Sequence, residues 1–252
     1  MSLQLIGRKE YQYNQKITIN IPLLKQIRSR NPKEESNFWQ EVNLFVITPS
    51  DMISELDSQG IDFQTVSDYE LFILLFAKYK ECMECINPFE DILFKDFNLH
   101  ELEIKKVGIG EDTRFILADK NGVEIINEPI YNDLCVLIAD MTGQQRTPYK
   151  RFGNEYAKKM RIRQDYKNKE KLRKQNNNSK YDVLGAIVLR LVCNANFPYD
   201  FDTIQNVTIH DLFYSLKQLD KDIRVTDLMQ SRLVGNDLSK IPQEELSRFI
   251  VQ

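Results

Sequence analysis

Apolar and polar residues alternate from Lys16 to Ile21, with Ile17, Ile19 and Ile21 facing one way and Lys16, Thr18 and Asn20 the other. A period of two predicts a half-buried strand, paired in a hairpin or meander. Pro22 ends it, and Leu23, Leu24 and Ile27 suit a short helical turn. Residues 28–37 read as a polar loop, and Phe38 to Ile47 fits either a strand or a short apolar helix. Thr48-Pro-Ser-Asp51 then opens a helix: a capping threonine, a proline at the first helical position and an acid at the positive end of the dipole. Met52, Ile53 and Leu56 follow at helical spacing, and Gly60 is its stop. Ser67-Asp-Tyr-Glu70 is a second capping box, leading into a run so apolar that it predicts the central core helix, with Phe72, Phe76 and Tyr79 as core residues.

Past Leu102 the period shortens again. Phe115 and Leu117, then Val123 and Ile125, flank Asp119-Lys-Asn-Gly122, a hairpin turn. Asn127-Glu-Pro-Ile130 starts a helix that puts Leu134, Leu137, Ile138 and Met141 on one face. After Thr147-Pro148, helix formers dominate from Tyr149 to Lys174, interrupted by Gly153. The apolar positions there are sparse. Phe152, Tyr156 and Met160 make a narrow i, i+4, i+8 stripe that fades after Tyr166. The first half, to about Met160, is therefore expected to dock, and the second, to Lys174, to project into solvent. Gln175 to Ser179 reads as an elbow. The remainder is helical: Val183 to Val192, a capping box at Thr208-Ile-His-Asp211 followed by Leu212, Phe213, Leu216 and Leu219, then Asp227 to Leu233 and Gln243 to Ile250.

The fold class expected is α+β and predominantly helical. An α+β N-terminal domain (1–145) is followed by a basic linking helix and elbow (146–180) and a helical C-terminal domain (181–252).

Charge sharpens the middle of this scheme. The chain has 34 Lys and Arg against 37 Asp and Glu; residues 146–180 hold 13 of the former and 3 of the latter, a local +10 that leaves −13 on the rest. Such asymmetry marks an electrostatic partner or a charged arm. The basic helix allows three readings: docking on the protein's own acidic surface, contact with an acidic protein partner, or nucleic acid. Nucleic acid gains from the basic residues between Lys158 and Lys174, since phosphate contacts dominate affinity, and Tyr156 and Tyr166 offer stacking faces. The acidic flanks, a sequence pI of about 5.6 and the lack of a recognition motif count against it.

Catalytic signatures are missing. No phosphate loop, nucleophile elbow or paired zinc-protease histidines can be read. Gly108-Ile-Gly110 reads as a turn, His210 as a surface residue behind the Thr208 cap, and the Asp200, Asp202 and Glu244, Glu245 pairs as helix-start acids and solvated faces. Cys82 and Cys85 form a C-x-x-C without a second pair, while Cys135 and Cys193 stand alone, so free thiols in a reducing cytoplasm are expected rather than metal or redox use. No cofactor is expected. With no apolar run of about 18 residues and an N-terminus of short apolar content, neither a membrane span nor a signal peptide is expected.

The order of these features resembles tail-module proteins of tailed phages infecting Gram-positive bacteria, the tail assembly chaperones encoded just before the tape-measure protein. The stretches that carry the likeness are Ser67-Asp-Tyr-Glu-Leu-Phe72 after Gln59-Gly-Ile-Asp62, the run from Lys150 to Lys174, Val207-Thr-Ile-His-Asp-Leu-Phe213, and the ending Leu233-Val-Gly-Asn-Asp-Leu-Ser-Lys-Ile241. Phe249 stands where a tryptophan would fit the pattern. The resemblance implies a non-enzymatic assembly factor of the host cell cytoplasm that holds the tape-measure protein soluble while tube subunits polymerise around it, self-association being open. A structural tail or neck component of the virion and a nucleic-acid-binding factor are the alternatives. The contact residues expected are Phe152, Tyr156, Lys158, Lys159, Met160, Arg161, Arg163 and Lys167.

Overall fold

The computed structural model describes residues 3–28, 32–83, 93–108, 113–149, 151–176, 183–194 and 197–233. The isoleucine alternation does form a strand. β1 (Glu10–Gln12) pairs antiparallel with β2 (Thr18–Asn20), Tyr11 opposite Ile19, and Ile17, Ile19 and Ile21 are all buried. After Pro22 comes the short α1 (Leu24–Arg28). The ambiguous segment is a helix, α2 (Pro32–Val46), which starts inside the expected loop at Pro32, whose fixed φ suits a first helical turn. Phe38, Val42, Phe45 and Val46 of α2 are buried, so its apolar residues lie at 3.6-residue rather than two-residue intervals.

Thr48 caps as expected, its N–H and hydroxyl both donating to Asp51 Oδ2 at 2.9 Å. The helix it opens is divided, however: a 3-10 turn (Pro49–Asp51) is followed by α3 (Ile53–Ser58), which has no local side-chain cap. Gly60 closes it at φ +74°. α4 (Asp68–Met83) begins with a reciprocal box, Ser67 N–H donating to Glu70 Oε2 at 2.8 Å and Glu70 N–H to Ser67 Oγ at 3.1 Å. Its Phe72 is the centre of an aromatic cluster, 4.5 Å from the Tyr131 ring and 5.3 Å from Phe45.

A three-stranded antiparallel sheet follows in the order β3 (Glu103–Val107), β4 (Arg114–Ala118), β5 (Glu124–Ile126). The β4–β5 turn is built by Asp119, whose Oδ1 accepts from the Asn121 and Val123 N–H groups, and by Gly122 at φ +83°. α5 (Glu128–Thr142) is capped by Asn127 Oδ1 on Ile130 N–H at 3.0 Å and ends at left-handed Gly143. α6 (Glu155–Asn176), α7 (Val183–Val192) and α8 (Ile209–Leu233) complete the described elements. Asp227 to Leu233 is the end of α8 rather than a separate helix. The expected helix at Gln243 to Ile250 lies outside the described residues. The architecture is α+β and predominantly helical.

The core does not follow the expected three-part division. Leu184, Val188, Leu191, Ile204, Val207, Ile209 and Leu212 bury into the same cluster as Ile17, Phe45, Phe72 and Tyr131. Two backbone bonds tie the halves: Leu24 N–H donates to Val207 O at 2.9 Å and Ile209 N–H to Pro22 O at 2.8 Å. Residues 183–212 thus complete the N-terminal body instead of forming a core of their own. A second, smaller cluster of Ile53, Leu56, Phe63 and Leu71 sits between α3 and α4, and Phe152 and Ile162 pack on it.

Candidate functional site on the basic helix

The segment leading into α6 is extended and strapped down. Arg146 donates to Asp68 Oδ2 at 2.6 Å, Thr147 Oγ1 to Asp51 Oδ1 at 2.5 Å and Tyr149 OH to Gln64 O at 2.5 Å. The helix begins at Glu155 rather than near Tyr149, because Asn154 caps it, its Oδ1 accepting from Ala157 N–H at 2.8 Å. Phe152 therefore precedes the helix, and the expected Phe152–Tyr156–Met160 stripe is not one helical face. Phe152 turns inward, its ring 6.1 Å from Phe63, edge to face. Tyr156 and Met160 turn outward, 75% and 47% exposed.

The face that docks is polar and lies elsewhere. Lys158, Ile162, Asp165 and Lys169, at i, i+4, i+7 and i+11, form the stripe that apolar periodicity would otherwise supply. Lys158 Nζ bonds Asp62 Oδ2 at 2.6 Å. Asp165 Oδ2 accepts from Ser54 N–H at 3.1 Å, Ser54 Oγ at 2.7 Å and Lys169 Nζ at 3.0 Å. Lys169 also donates to the Glu55 carboxylate and to Asp51 O at 2.9 Å, while Tyr166 OH donates to Ser54 O at 3.0 Å. Asp165 thereby supplies the cap that α3 lacks locally, from 111 residues away. Docking runs to Lys169, well beyond Met160, so most of the second half of α6 lies along the body; only its end, with the exposed Glu170–Lys174 pair, agrees with the expected projection.

These contacts shift the ionisation of the docked carboxyls. Burial works to raise the pKa of Asp165, but the Ser54 hydroxyl, Lys169 and the Ser54 N–H outweigh it and hold the group below its ordinary value. Glu55 shows the same balance, burial opposed chiefly by Lys169. Asp62 is lowered by its bond from Lys158, whose own pKa is raised in return.

The opposite face is different. At about 100° per residue, Tyr156, Met160, Arg163, Lys167 and Lys171 point away from α3, with Lys159 at their edge. Lys159, Arg163, Lys167 and Lys171 follow one another at i+4, and among the described residues none of them forms an ion pair. Beside this ridge lies a groove of about 680 Å³ lined by Phe152, Ala157, Met160, Arg161, Arg163, Gln164 and Lys167. Among the described residues the buried Arg161 Nε has no hydrogen-bond partner. Of the eight expected contact residues, Lys158 is committed to docking, and Phe152 packs on Phe63 while also lining the groove. Tyr156, Lys159, Met160, Arg163 and Lys167 share the outward face, and Arg161 lies at its side. The docked set was missed because it is polar; its one legible sign was Asp165, the single acid between Lys158 and Lys169 and four residues before the latter.

Other expected chemistry falls differently. His210 is fully buried, not a surface residue, since the Ile209–Pro22 bond draws the start of α8 into the body. Its Nδ1 lies 3.3 Å from Asp211 Oδ1 and its ring stacks on Tyr214 at 6.0 Å. Cys135 is a buried free thiol, its pKa pushed up to about 11 by burial, and Cys193 is exposed. The side chains of Cys82 and Cys85 lie outside the described residues, as do Glu244 and Glu245. Asp200 organises its own loop, accepting from Thr203 N–H at 2.8 Å and Asp202 N–H at 3.1 Å. Among the described residues no helix is long and apolar enough to cross a membrane. No known protein family, curated protein or solved structure matches the chain.

Proposed function

We propose that this protein is a non-enzymatic assembly factor of a phage tail, a chaperone of the host cytoplasm that holds the tape-measure protein soluble during tube assembly. The observation that carries the reading is the two-sided character of α6. One face is fixed to the body through Asp62, Glu55 and Ser54; the other presents Tyr156, Met160, Arg163, Lys167 and Lys171 to solvent. Like charges at i+4 destabilise a helix by about 0.2–0.5 kcal/mol per pair. The steps Lys159–Arg163, Arg163–Lys167 and Lys167–Lys171 all carry that cost, which a helix serving only as a solvated link would relieve with interleaved acids. A held positive surface, without ion pairs among the described residues and beside a groove, suits capture of a partner. The resemblance to tail-module proteins names the tape-measure protein as that partner, with the tube subunit second.

The test is co-expression of the tape-measure protein with and without this chain. The proposal expects the soluble tape-measure fraction to depend on the chain, and the chain to be absent from purified particles by quantitative mass spectrometry. Stoichiometric presence in virions would replace the chaperone with a tail or neck component.

A further inference from the structure

We infer that the groove beside Met160 takes an amphipathic helix of a protein partner, one whose apolar stripe is bordered by Asp or Glu. The inference rests on reading α6 as a partner surface and adds what that partner must look like. Two features coincide: Arg163 and Lys167 belong both to the unpaired cationic ridge and to the groove lining, together with Phe152, Ala157 and Met160. An occupant must therefore supply apolar side chains and negative charge along one line.

The ridge repeats about every 6 Å, four residues of helical rise. A second helix laid alongside presents acids at i, i+4 and i+8 with the same repeat, so each carboxylate meets one cation without bending either backbone. A nucleic-acid strand matches the charge, but a strand of stacked bases wants successive exposed aromatic planes, and the outward face carries one exposed tyrosine, Tyr156, beside a groove with an apolar floor. Of the two tyrosines of α6, Tyr166 is engaged with the Ser54 carbonyl.

The experiment uses the full chain and a fluorescein-labelled peptide of about 20 residues, long enough to span the ridge, with leucines on one face and glutamates along both borders. Anisotropy at about 50 mM salt, where charge contacts are least screened, is expected to show saturable binding that weakens as salt rises. Met160→Asp and the double variant Arg163→Glu/Lys167→Glu are each expected to weaken it by about tenfold or more, as for anchor residues of an interface. A peptide with lysines in place of the glutamates is expected to recover binding to the double variant. All substituted residues point away from α3, and the melting midpoint of each variant should match the parent. No binding overturns the inference, as does equal binding of a peptide whose leucines are serines, or stronger binding of a single-stranded oligonucleotide. If tape-measure solubility depends on the chain yet is unmoved by these variants, the groove proposal falls while the assembly role stands. If the peptide binds as described but solubility does not depend on the chain, the groove proposal stands and the tail reading falls.

Discussion

Asp165→Ala is the sharpest probe of how α6 is held. Its carboxylate receives the Ser54 N–H, the Ser54 hydroxyl and the Lys169 ammonium, and its side chain is 14% exposed. Truncation leaves Lys169 with Glu55 and the Asp51 carbonyl, and leaves the Ser54 hydroxyl with Glu55 Oε2 at 3.1 Å, but it strands the N–H of Ser54, a residue only 4% exposed. Loss of a helix cap costs about 0.5–2 kcal/mol, and a buried donor left unpaired costs about 1–3 kcal/mol. Because these describe overlapping bonds, the expected loss is about 2–3 kcal/mol and not their sum. For a chain of this length that lowers the melting midpoint by about 4–12 °C. Asp165→Asn, which keeps an acceptor and loses the charge, should fall between parent and alanine variant. Calorimetry gives the midpoint, and amide exchange should show the α3 N–H groups losing protection ahead of α4. Glu170→Ala is the control: its pair with Lys174 is exposed on both sides, and the midpoint should not move. If Asp165→Ala behaves like Glu170→Ala, the remote cap contributes nothing and α6 is held by the Lys158, Lys169 and Tyr166 contacts with the packing of Phe152 and Ile162.

Acid should loosen the same contact. Folding lowers the pKa values of Asp165, Glu55 and Asp62, so their contribution is complete above the ordinary carboxyl range and drains as pH falls through the lower folded values. A pH series of melts below about pH 5 should show a steeper decline for the parent than for Asp165→Asn/Glu55→Gln. Phe72→Ala, at the centre of the aromatic cluster, should cost about 3–5 kcal/mol in urea unfolding. Gly60→Ala meets no atom within 4 Å but must hold φ +74°; it should cost about 1 kcal/mol by the same assay, and a neutral result would mean that the turn relaxes.

What could be read from the sequence was what is decided within a few residues. The boxes at Thr48 and Ser67, the Thr208 cap, the Asn127 cap and the Asp119–Gly122 turn each depend on side chains that reach no more than four positions, and all form, Thr208 by its hydroxyl on the Asp211 N–H. The segment Phe38 to Ile47 stayed undecided because a run of that length satisfies both periods, and it is burial against other elements that selects the helix. Distance defeated the rest. Asp165 and Ser54 meet across 111 positions, and Pro22 and Ile209 pair because the core closes around them. Local pattern placed His210 on the surface for the same reason: the cap was visible, and the strand-like bridge that buries it was not.

The basic segment is one in composition and two in physics. Its inward lysines meet Asp62 and Glu55 from outside the segment, so part of the local +10 is neutralised in place. The outward cations stand across a helix about 10–12 Å in diameter, and the Debye length at physiological salt is about 8 Å. Solvent ions screen the outer ridge from the inner carboxylates more strongly than either is screened from its own neighbours. The acids that fix α6 therefore do not cancel the field of its free face. A stripe that anchors and a stripe that recruits can occupy one helix of 22 residues, each nearly blind to the other. It follows that charge reversal at Arg163 and Lys167 should abolish peptide capture without loosening the dock, while Asp165→Ala should loosen the dock without changing the sign of what is captured.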